Sequence, residues 1–187
     1  LSSAASDVYK RQLVAMLACF DVSTAFAATN GNCGANFGGT NAKWSLNTST
    51  GVLTISGKGA TKDCGNVGSN QAPWKDSRDK IKSIVVEEGI TALGRYMFYQ
   101  CEVAESVSLP STLTAIGDTK FLEYGTFVDC KALTNVTLPS KLQTIGHAAF
   151  KGCSSLKSIK IPDSVTTIGT SAVSYTHLRA HETVLDL

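Results

Sequence analysis

A chain of 187 residues is long enough for one domain with a sizeable hydrophobic core. Hydrophobic residues make up 43% of it and charged residues 17%, which excludes a disordered polyelectrolyte. The net charge is only +2 and no segment concentrates Lys or Arg, so no nucleic-acid-binding surface is expected. No apolar run reaches the roughly 18 residues that a membrane-spanning helix needs, so no transmembrane segment is predicted.

The two ends of the chain resemble translated DNA adapters rather than protein sequence. Residues 1–12 contain SSAASDVYKRQ, and residues 173–187 begin with VSYTHLRAHET. The codons GAT GTG TAT AAG AGA CAG, found in adapters that a transposase leaves on DNA fragments, encode Asp7 to Gln12. Their reverse complement, in a shifted frame, encodes Val173 to Leu178. We therefore expect both segments to be adapter-derived and leave them out of the fold prediction.

This exclusion removes the one metal-like pattern in the chain. His177 and His181 are four residues apart, with Glu182 beside them, a spacing that would place both imidazoles on one helical face. The Glu that directly follows the first His in zinc peptidases is absent, and the pattern lies inside the suspected adapter. No metal site and no cofactor are predicted.

Residues 13–27 are predicted to be the remainder of an export signal. The run LVAMLACF at residues 13–20 is apolar, and Ala25-Phe26-Ala27 matches an A-x-A cleavage site. The alternative is an N-terminal core helix, which the short run and the polar turn after it disfavour. Cleavage would begin the mature chain near Ala28, in a compartment where disulfides persist.

Residues 28–79 are predicted to form a small β module. Trp44 and Leu46 alternate with polar residues before a turn, and Leu53 and Ile55 alternate after it, which is the pattern of a β-hairpin. The following residues 57–73 are rich in Gly, Asn and Ser and are predicted to form a long loop.

Residues 80–172 contain a repeat with a period of 23 residues. The glycines at 94, 117, 146 and 169 are separated by 23, 29 and 23 residues, so six inserted residues explain the longer gap. Three further columns have gaps of 29 and 23, and they comprise Phe98, Phe127 and Phe150; Cys101, Cys130 and Cys153; and Pro110, Pro139 and Pro162.

Each unit reads approximately L-x-x-I-x-L-P-x-x-L-x-x-I-G-x-x-A-F-x-x-C. The I-x-L step predicts a short strand with one buried face, and the Pro ends it. The Gly suits a turn that needs positive φ, and A-F-x-x-C suits one helical turn that directs Phe and Cys inward.

One unit cannot bury these apolar columns alone, whereas stacked units can. The prediction is an α+β, β-rich fold: a leucine-rich-repeat solenoid of about four units with parallel strands along one side. The hairpin before it is predicted to cap the first strand, which would otherwise expose an open edge.

The unit at residues 138–162, LPSKLQTIGHAAFKGCSSLKSIKIP, resembles the BspA-like leucine-rich repeat of bacterial surface proteins. The resemblance covers about residues 80–172. The preceding residues resemble the N-terminal module often found before these repeats, through Cys33-Gly34, Trp44-Ser45-Leu46, the string GVLTISG and Ala72-Pro73-Trp74. The resemblance implies a secreted or cell-surface bacterial protein that works in adhesion or partner binding without catalysis. Its partner would be a protein, extracellular matrix or a host surface.

Five cysteines lie in the native segment after the export signal. Cys101, Cys130 and Cys153 could form a metal ladder or a redox set, but one in each unit favours stacked free thiols that act as small apolar groups. Cys33 and Cys64 lie outside the repeat and are a candidate disulfide. It would close a loop of about 30 residues and stabilise the fold by roughly 2–4 kcal/mol.

No catalytic residue is predicted. His147 is the only His between the two suspected adapters, so neither a His-based triad nor a multi-His metal site can form. It follows the repeat Gly at a position where other units carry Arg95, Asp118 and Thr170, and this variety predicts a solvent-facing side chain. The chain also contains no phosphate-binding P-loop.

Two groups of residues are candidates for partner binding. Val85, Ser108, Thr137 and Lys160 are expected to face outward on the strand side of the solenoid, flanked by Ser106, Asn135 and Ser158. This side forms either the recognition surface usual in horseshoe-shaped repeat proteins or an ordinary solvated face. It carries no aromatic residue, which disfavours carbohydrate recognition.

The insertion TKFLEY at residues 119–124 supplies the second group. Phe121 and Tyr124 could anchor a partner from an exposed loop or pack, with Leu122, against the outside of the solenoid. Two alternatives to a binding protein also remain: the repeat region of a larger secreted hydrolase, and a structural stalk in the cell wall.

Overall fold

A computed structural model describes residues 29–120 and 125–173. Its strands are β1 (Asn30–Asn32), β2 (Ala42–Asn47), β3 (Val52–Gly57), β4 (Gly59–Ala60), β5 (Ser83–Val86), β6 (Ile90–Leu93), β7 (Ser106–Ser108), β8 (Ala115–Ile116), β9 (Asn135–Val136), β10 (Thr144–Ile145) and β11 (Thr167–Ile168). Short 3-10 segments span Phe37–Gly39, Gly68–Asn70 and Lys75–Lys80. The described part of the chain contains no α-helix.

The strands form two sheets that run along the stacked units. The first sheet has the order β1-β2-β3-β5-β7-β9, and the second has the order β4-β6-β8-β10-β11. From β3 onward every neighbouring pair in the first sheet is parallel, as are all pairs in the second. Each of the first three repeat units contributes one short strand to each sheet, and the last unit contributes β11 to the second sheet. The architecture is therefore the leucine-rich-repeat fold and is rich in β structure.

The N-terminal module is joined to the repeats by main-chain hydrogen bonds. β2 and β3 pair antiparallel, and β3 then pairs parallel with β5, the first strand of the repeat region. The inward side chains of the antiparallel pair are all buried, and they are Ala42, Trp44, Leu46, Leu53 and Ile55. Module and repeats therefore share one continuous sheet and one core.

A column of aromatic rings runs through this core. Trp44 makes an edge contact with Trp74, and the rings of Trp74 and Phe98 stack with centroids 5.8 Å apart. Phe98 and Phe127 are 4.9 Å apart, and Phe127 and Phe150 are 5.3 Å apart. Trp74 thus occupies in the module the position that Phe occupies in each repeat, which explains how the two regions pack without a break.

The predicted apolar columns point inward. The column of Ile81, Ala104, Leu133 and Leu156 is fully buried in all four units. Burial weakens in the final unit, where Ile159, Ile161 and Val165 are only partly buried and Ile168 is 42% exposed. The second sheet continues into this unit through β11, whereas the first sheet stops at β9.

The role predicted for the repeat glycines is wrong in three of the four units. Only Gly117 has positive φ, +70°. Gly94, Gly146 and Gly169 instead lie against the backbone of the preceding unit, so that an added Cβ would overlap it; at Gly146 the Cβ would lie 2.5 Å from the nitrogen and oxygen of Asp118. Close stacking of units, rather than turn conformation, excludes a side chain at these positions.

The helical turn predicted for the A-F-x-x-C segment is also wrong. This segment is a series of turns, with left-handed residues two positions before the Phe (Tyr96 and Ala148) and two positions after it (Gln100 and Asp129). Its amides bond to the next unit, as in Phe98 N–H to Thr126 O at 2.9 Å. These amides donate to the neighbouring unit because the same turn recurs beside it in that unit. In a helix, the amides would instead donate within the segment itself.

Candidate functional site

The outer face of the first sheet carries two rows of uncharged side chains. The strand register aligns Ser45, Thr54, Val85 and Ser108 in one row and Asn47, Val52, Ser83, Ser106 and Asn135 in the other. Val85 is half-buried, whereas Ser108 and Thr137 are exposed. Apart from Val52 and Val85, these side chains carry hydroxyl or amide groups, and neighbouring strands lie about 4.8 Å apart, so the face presents polar uncharged groups over both module and repeats.

Lys160 is exposed as predicted, but it does not lie on a paired strand. Residues 158–161 lie beside β9 but form no main-chain hydrogen bonds to it. A groove of about 610 Å³ lies between the two segments. Its walls comprise Asn135, Val136, Thr137, Leu138, Ser140, Ser158, Lys160, Ile161, Pro162, Asp163 and Ser164. Lys160 and Asp163 are the charged residues among them, and their charges are opposite.

Phe121 and Tyr124, the other predicted partner anchors, lie outside the described residues. Their neighbour Thr119 is described, and its carbonyl oxygen lies 2.9 Å from Nε2 of His147. His147 is half-buried rather than solvent-facing, and its Nδ1 accepts a hydrogen bond of 2.7 Å from the Thr170 amide. Because Nδ1 accepts, Nε2 carries the proton and donates to Thr119. His147 therefore links the insertion to the last unit, and the expectation of a free surface side chain is corrected.

Cys33 and Cys64 are both buried and free, so the structure does not contain the predicted disulfide. Gly34 pairs with Thr61, and the Cys33 carbonyl accepts a hydrogen bond from the Lys62 amide, so Cys33 lies beside the segment that leads into Cys64. The Cys64 Sγ contacts Met97 Sδ at 3.9 Å. Burial raises the pKa of the Cys33 thiol to about 12 and that of Cys64 to about 11. Few thiolates exist at neutral pH, so formation of this disulfide within the folded chain is disfavoured and the pairing stays a prediction.

We expect these two thiols to be unreactive until the chain unfolds. In the reduced mature chain, Ellman's reagent at pH 8 should react slowly with Cys33 and Cys64 under native conditions and rapidly in guanidinium chloride. The raised pKa values mean that the folded state retains these protons longer, so stability should fall as pH rises from about 9 towards 12. Native thiols that react as fast as unfolded ones would contradict the burial of this pair.

The repeat cysteines form a buried column. Cys101, Cys130 and Cys153 are free and fully buried, and Cys130 Sγ donates to the Phe98 carbonyl at 3.2 Å. Cys153 makes the same bond to Phe127, at 3.1 Å. All three thiols thus fill small inward positions, and those of Cys130 and Cys153 bond to the unit before them. Among residues 29–120 and 125–173, no three His, Cys, Asp or Glu side chains lie close enough together to hold a metal ion.

One exposed residue was missed by the sequence analysis. Phe37 lies at the tip of the loop between β1 and β2 and is fully exposed. The signal available in the sequence was a single aromatic residue within an uncharged stretch rich in Gly and Asn, residues 29–42, which fits neither a strand nor a core position.

The repeats permit an assignment by comparison with known proteins. The family described as "BspA type Leucine rich repeat region" matches residues 76–180, in six copies. The chain belongs to the BspA-type leucine-rich repeat family. Six copies exceed the four or so units predicted from the 23-residue spacing, and the match begins before residue 80 and extends past Ala172. No curated protein matches the chain.

Solved structures of bacterial leucine-rich repeat proteins are similar to this BspA-type chain. A leucine-rich repeat protein from Eubacterium ventriosum is 30% identical, with a TM-score of 0.54 over 75% of this chain and 40% of its own. The Treponema pallidum leucine-rich repeat protein is 21% identical, with a TM-score of 0.46 over 69% of this chain and 62% of its own. A leucine-rich cell surface protein from Faecalibacterium prausnitzii is 20% identical, with a TM-score of 0.39 over 74% of this chain and 45% of its own. The chain thus spans less than two thirds of each of these proteins.

These similar structures are described as repeat or surface proteins, and no enzyme is named among them. Within the described residues, no helix is long and apolar enough to cross a membrane.

Proposed function

We propose that this BspA-type chain is an exported, non-catalytic binding module that recognises a protein of a host surface or extracellular matrix. The outer face of the first sheet carries the proposal, since it is continuous over five strands beyond β1 and presents aligned, uncharged hydrogen-bonding groups. Flat arrays of this kind bind a partner through many weak contacts, with specificity set by hydrogen-bond position.

The proposal includes the organisation of the chain. Residues 13–27 direct export, residues 28–79 cap the first repeat, and residues 80–172 form the binding solenoid with its 23-residue period. Residues 1–12 and 173–187 derive from adapters. Support for the cap comes from the antiparallel β2–β3 pair, which covers the edge of β5 and supplies Trp44 to the core, where its ring contacts Trp74.

Two substitutions on the binding face test the proposal. Replacing Ser106 and Ser108 by Arg together adds bulk and charge to exposed positions of the first sheet, away from the groove beside β9, and we expect binding to an immobilised extracellular-matrix extract to fall at least about tenfold. The measurement is surface plasmon resonance with the purified chain. Thermal unfolding of the variant should match that of the parent chain, because both side chains are exposed.

The matched control places Arg at exposed positions of the second sheet, Thr91 and Thr167. This variant carries the same added charge and should bind the extract as the parent does. Binding by the parent should also change little between low and high salt, since the face carries no charged side chain in its two rows. Equal losses in both double variants would show that the first sheet is not the binding face.

A further inference from the structure

The exposed Phe37 is held in a rigid loop. Residues 33–41 connect β1 to β2, although a hairpin needs only two to five residues there. Asn36 and Asn41 form two reciprocal hydrogen bonds. The main-chain N–H of Asn36 donates to Asn41 Oδ1 at 3.0 Å, and the main-chain N–H of Asn41 donates to Asn36 Oδ1 at 3.2 Å. The Asn41 side chain also donates to the carbonyls of Lys58 and Ala60, both at 2.8 Å. The loop is therefore fixed to the module while its tip carries an apolar ring into water.

A preorganised apolar side chain of this kind is an efficient anchor for association. The loop loses little conformational freedom on binding, because its backbone is already ordered. Exposed aromatic rings set among Gly, Asn and Thr residues are typical of surfaces that bind proteins. Residues 29–42 carry no charged side chain, so the matching surface should also be close to neutral.

The groove beside β9 has the complementary properties. Val136, Leu138, Ile161 and Pro162 give it apolar walls, and its charges cancel between Lys160 and Asp163. Its volume of about 610 Å³ is ample for one aromatic ring, since an apolar cavity of about 150 Å³ holds benzene. Hydroxyl groups on Ser140, Ser158 and Ser164 can bond the amides around Phe37.

The two surfaces lie at opposite ends of the solenoid. The loop connects β1 and β2 at one end of the first sheet, and the groove flanks β9 at the other. Five strand spacings separate β1 from β9, about 24 Å, so Phe37 cannot enter the groove of its own chain.

We propose that copies of this chain associate head to tail, with Phe37 of one copy inserted into the groove beside β9 of the next. Such a contact is heterologous: each copy uses its loop on one neighbour and its groove on the other, and the association can extend along an open row. This proposal does not depend on the partner-binding function, since it uses neither row of the outer sheet face beyond its edge at Asn135.

Sedimentation velocity over a range of concentrations tests the association. The mature chain should shift from monomer to larger species as its concentration rises, and Phe37→Ser should weaken the association more than about tenfold. Val67→Ser is the matched control, because Val67 is also a highly exposed apolar residue in a Gly/Asn-rich loop of the module, and it should associate as the parent does. A parent chain that stays monomeric at every concentration, or two variants that associate equally, would overturn the proposal.

Mixing two variants tests the head-to-tail geometry. Ser158→Arg blocks the groove at an exposed position, so this variant alone should stay monomeric, as should Phe37→Ser. Mixed in equal amounts, one supplies an intact loop and the other an intact groove, and the mixture should form dimers that grow no further. A mixture that contains only monomers would overturn the heterologous contact.

Discussion

Replacing Phe127 by Asp should unfold the repeat region. Phe127 is fully buried between Phe98 and Phe150, with which its ring stacks at 4.9 and 5.3 Å. Removing a buried Phe ring costs about 3–5 kcal/mol, and an unpaired carboxylate in its place adds several more. The total approaches the whole stability of a typical domain, so circular dichroism should show loss of the folded signal at 25 °C.

Two controls distinguish the effect of a buried charge from the effects of losing the ring and of adding a charge elsewhere. Phe127→Leu keeps the position apolar and should leave the chain folded, with a lower urea midpoint. Ser108→Asp adds the same charge at an exposed position and should change stability by less than about 0.5 kcal/mol. A chain that tolerated Asp at residue 127 as well as at residue 108 would show that the register assigned to the repeats is wrong.

Replacing Gly146 by Ala should strongly destabilise the stacked units, although it adds only one methyl group. The added Cβ would lie 2.5 Å from both the nitrogen and the oxygen of Asp118, and the backbone there cannot move aside without separating two units. We expect the free energy of unfolding to fall by about 3 kcal/mol, at the upper end of the range for overpacked sites. Urea denaturation followed by circular dichroism measures the loss.

Gly68→Ala is the control for backbone strain alone. Gly68 has φ of +71° but no heavy atom within 4 Å of an added Cβ, so the cost should be about 1 kcal/mol. If Gly146→Ala were no worse than Gly68→Ala, the spacing of the units at this glycine would be looser than the structure shows.

The inward columns could be predicted from the sequence, whereas the role of the glycines could not. Spacing alone placed Ile81, Ala104 and Leu133 in the core, because burial in stacked units follows directly from a repeated apolar position. Spacing cannot distinguish a glycine that needs positive φ, as at Gly117, from one that lies against another backbone, as at Gly146. That distinction depends on the distance between units, which is a property of the packed structure.

The candidate site also has some features that the sequence predicts and others that depend on the folded structure. The outward positions Ser108 and Thr137 followed from alternation along a strand. Phe37 did not, because its exposure depends on the reciprocal bonds of Asn36 and Asn41, which join residues that lie in no repeated pattern. Likewise, the groove exists because residues 158–161 fail to pair with β9, although their sequence matches the earlier units.

The measurement that tests most directly whether module and repeats form one body is a comparison of two unfolding curves. Both tryptophans, Trp44 and Trp74, lie in the module, so their fluorescence reports on it, while far-ultraviolet circular dichroism reports on the strands of the whole chain. A shared sheet and a continuous aromatic column predict that the two curves coincide in urea, and that Phe127→Leu shifts both to the same lower midpoint. Separate midpoints, with tryptophan fluorescence unaffected by Phe127→Leu, would contradict a single continuous solenoid.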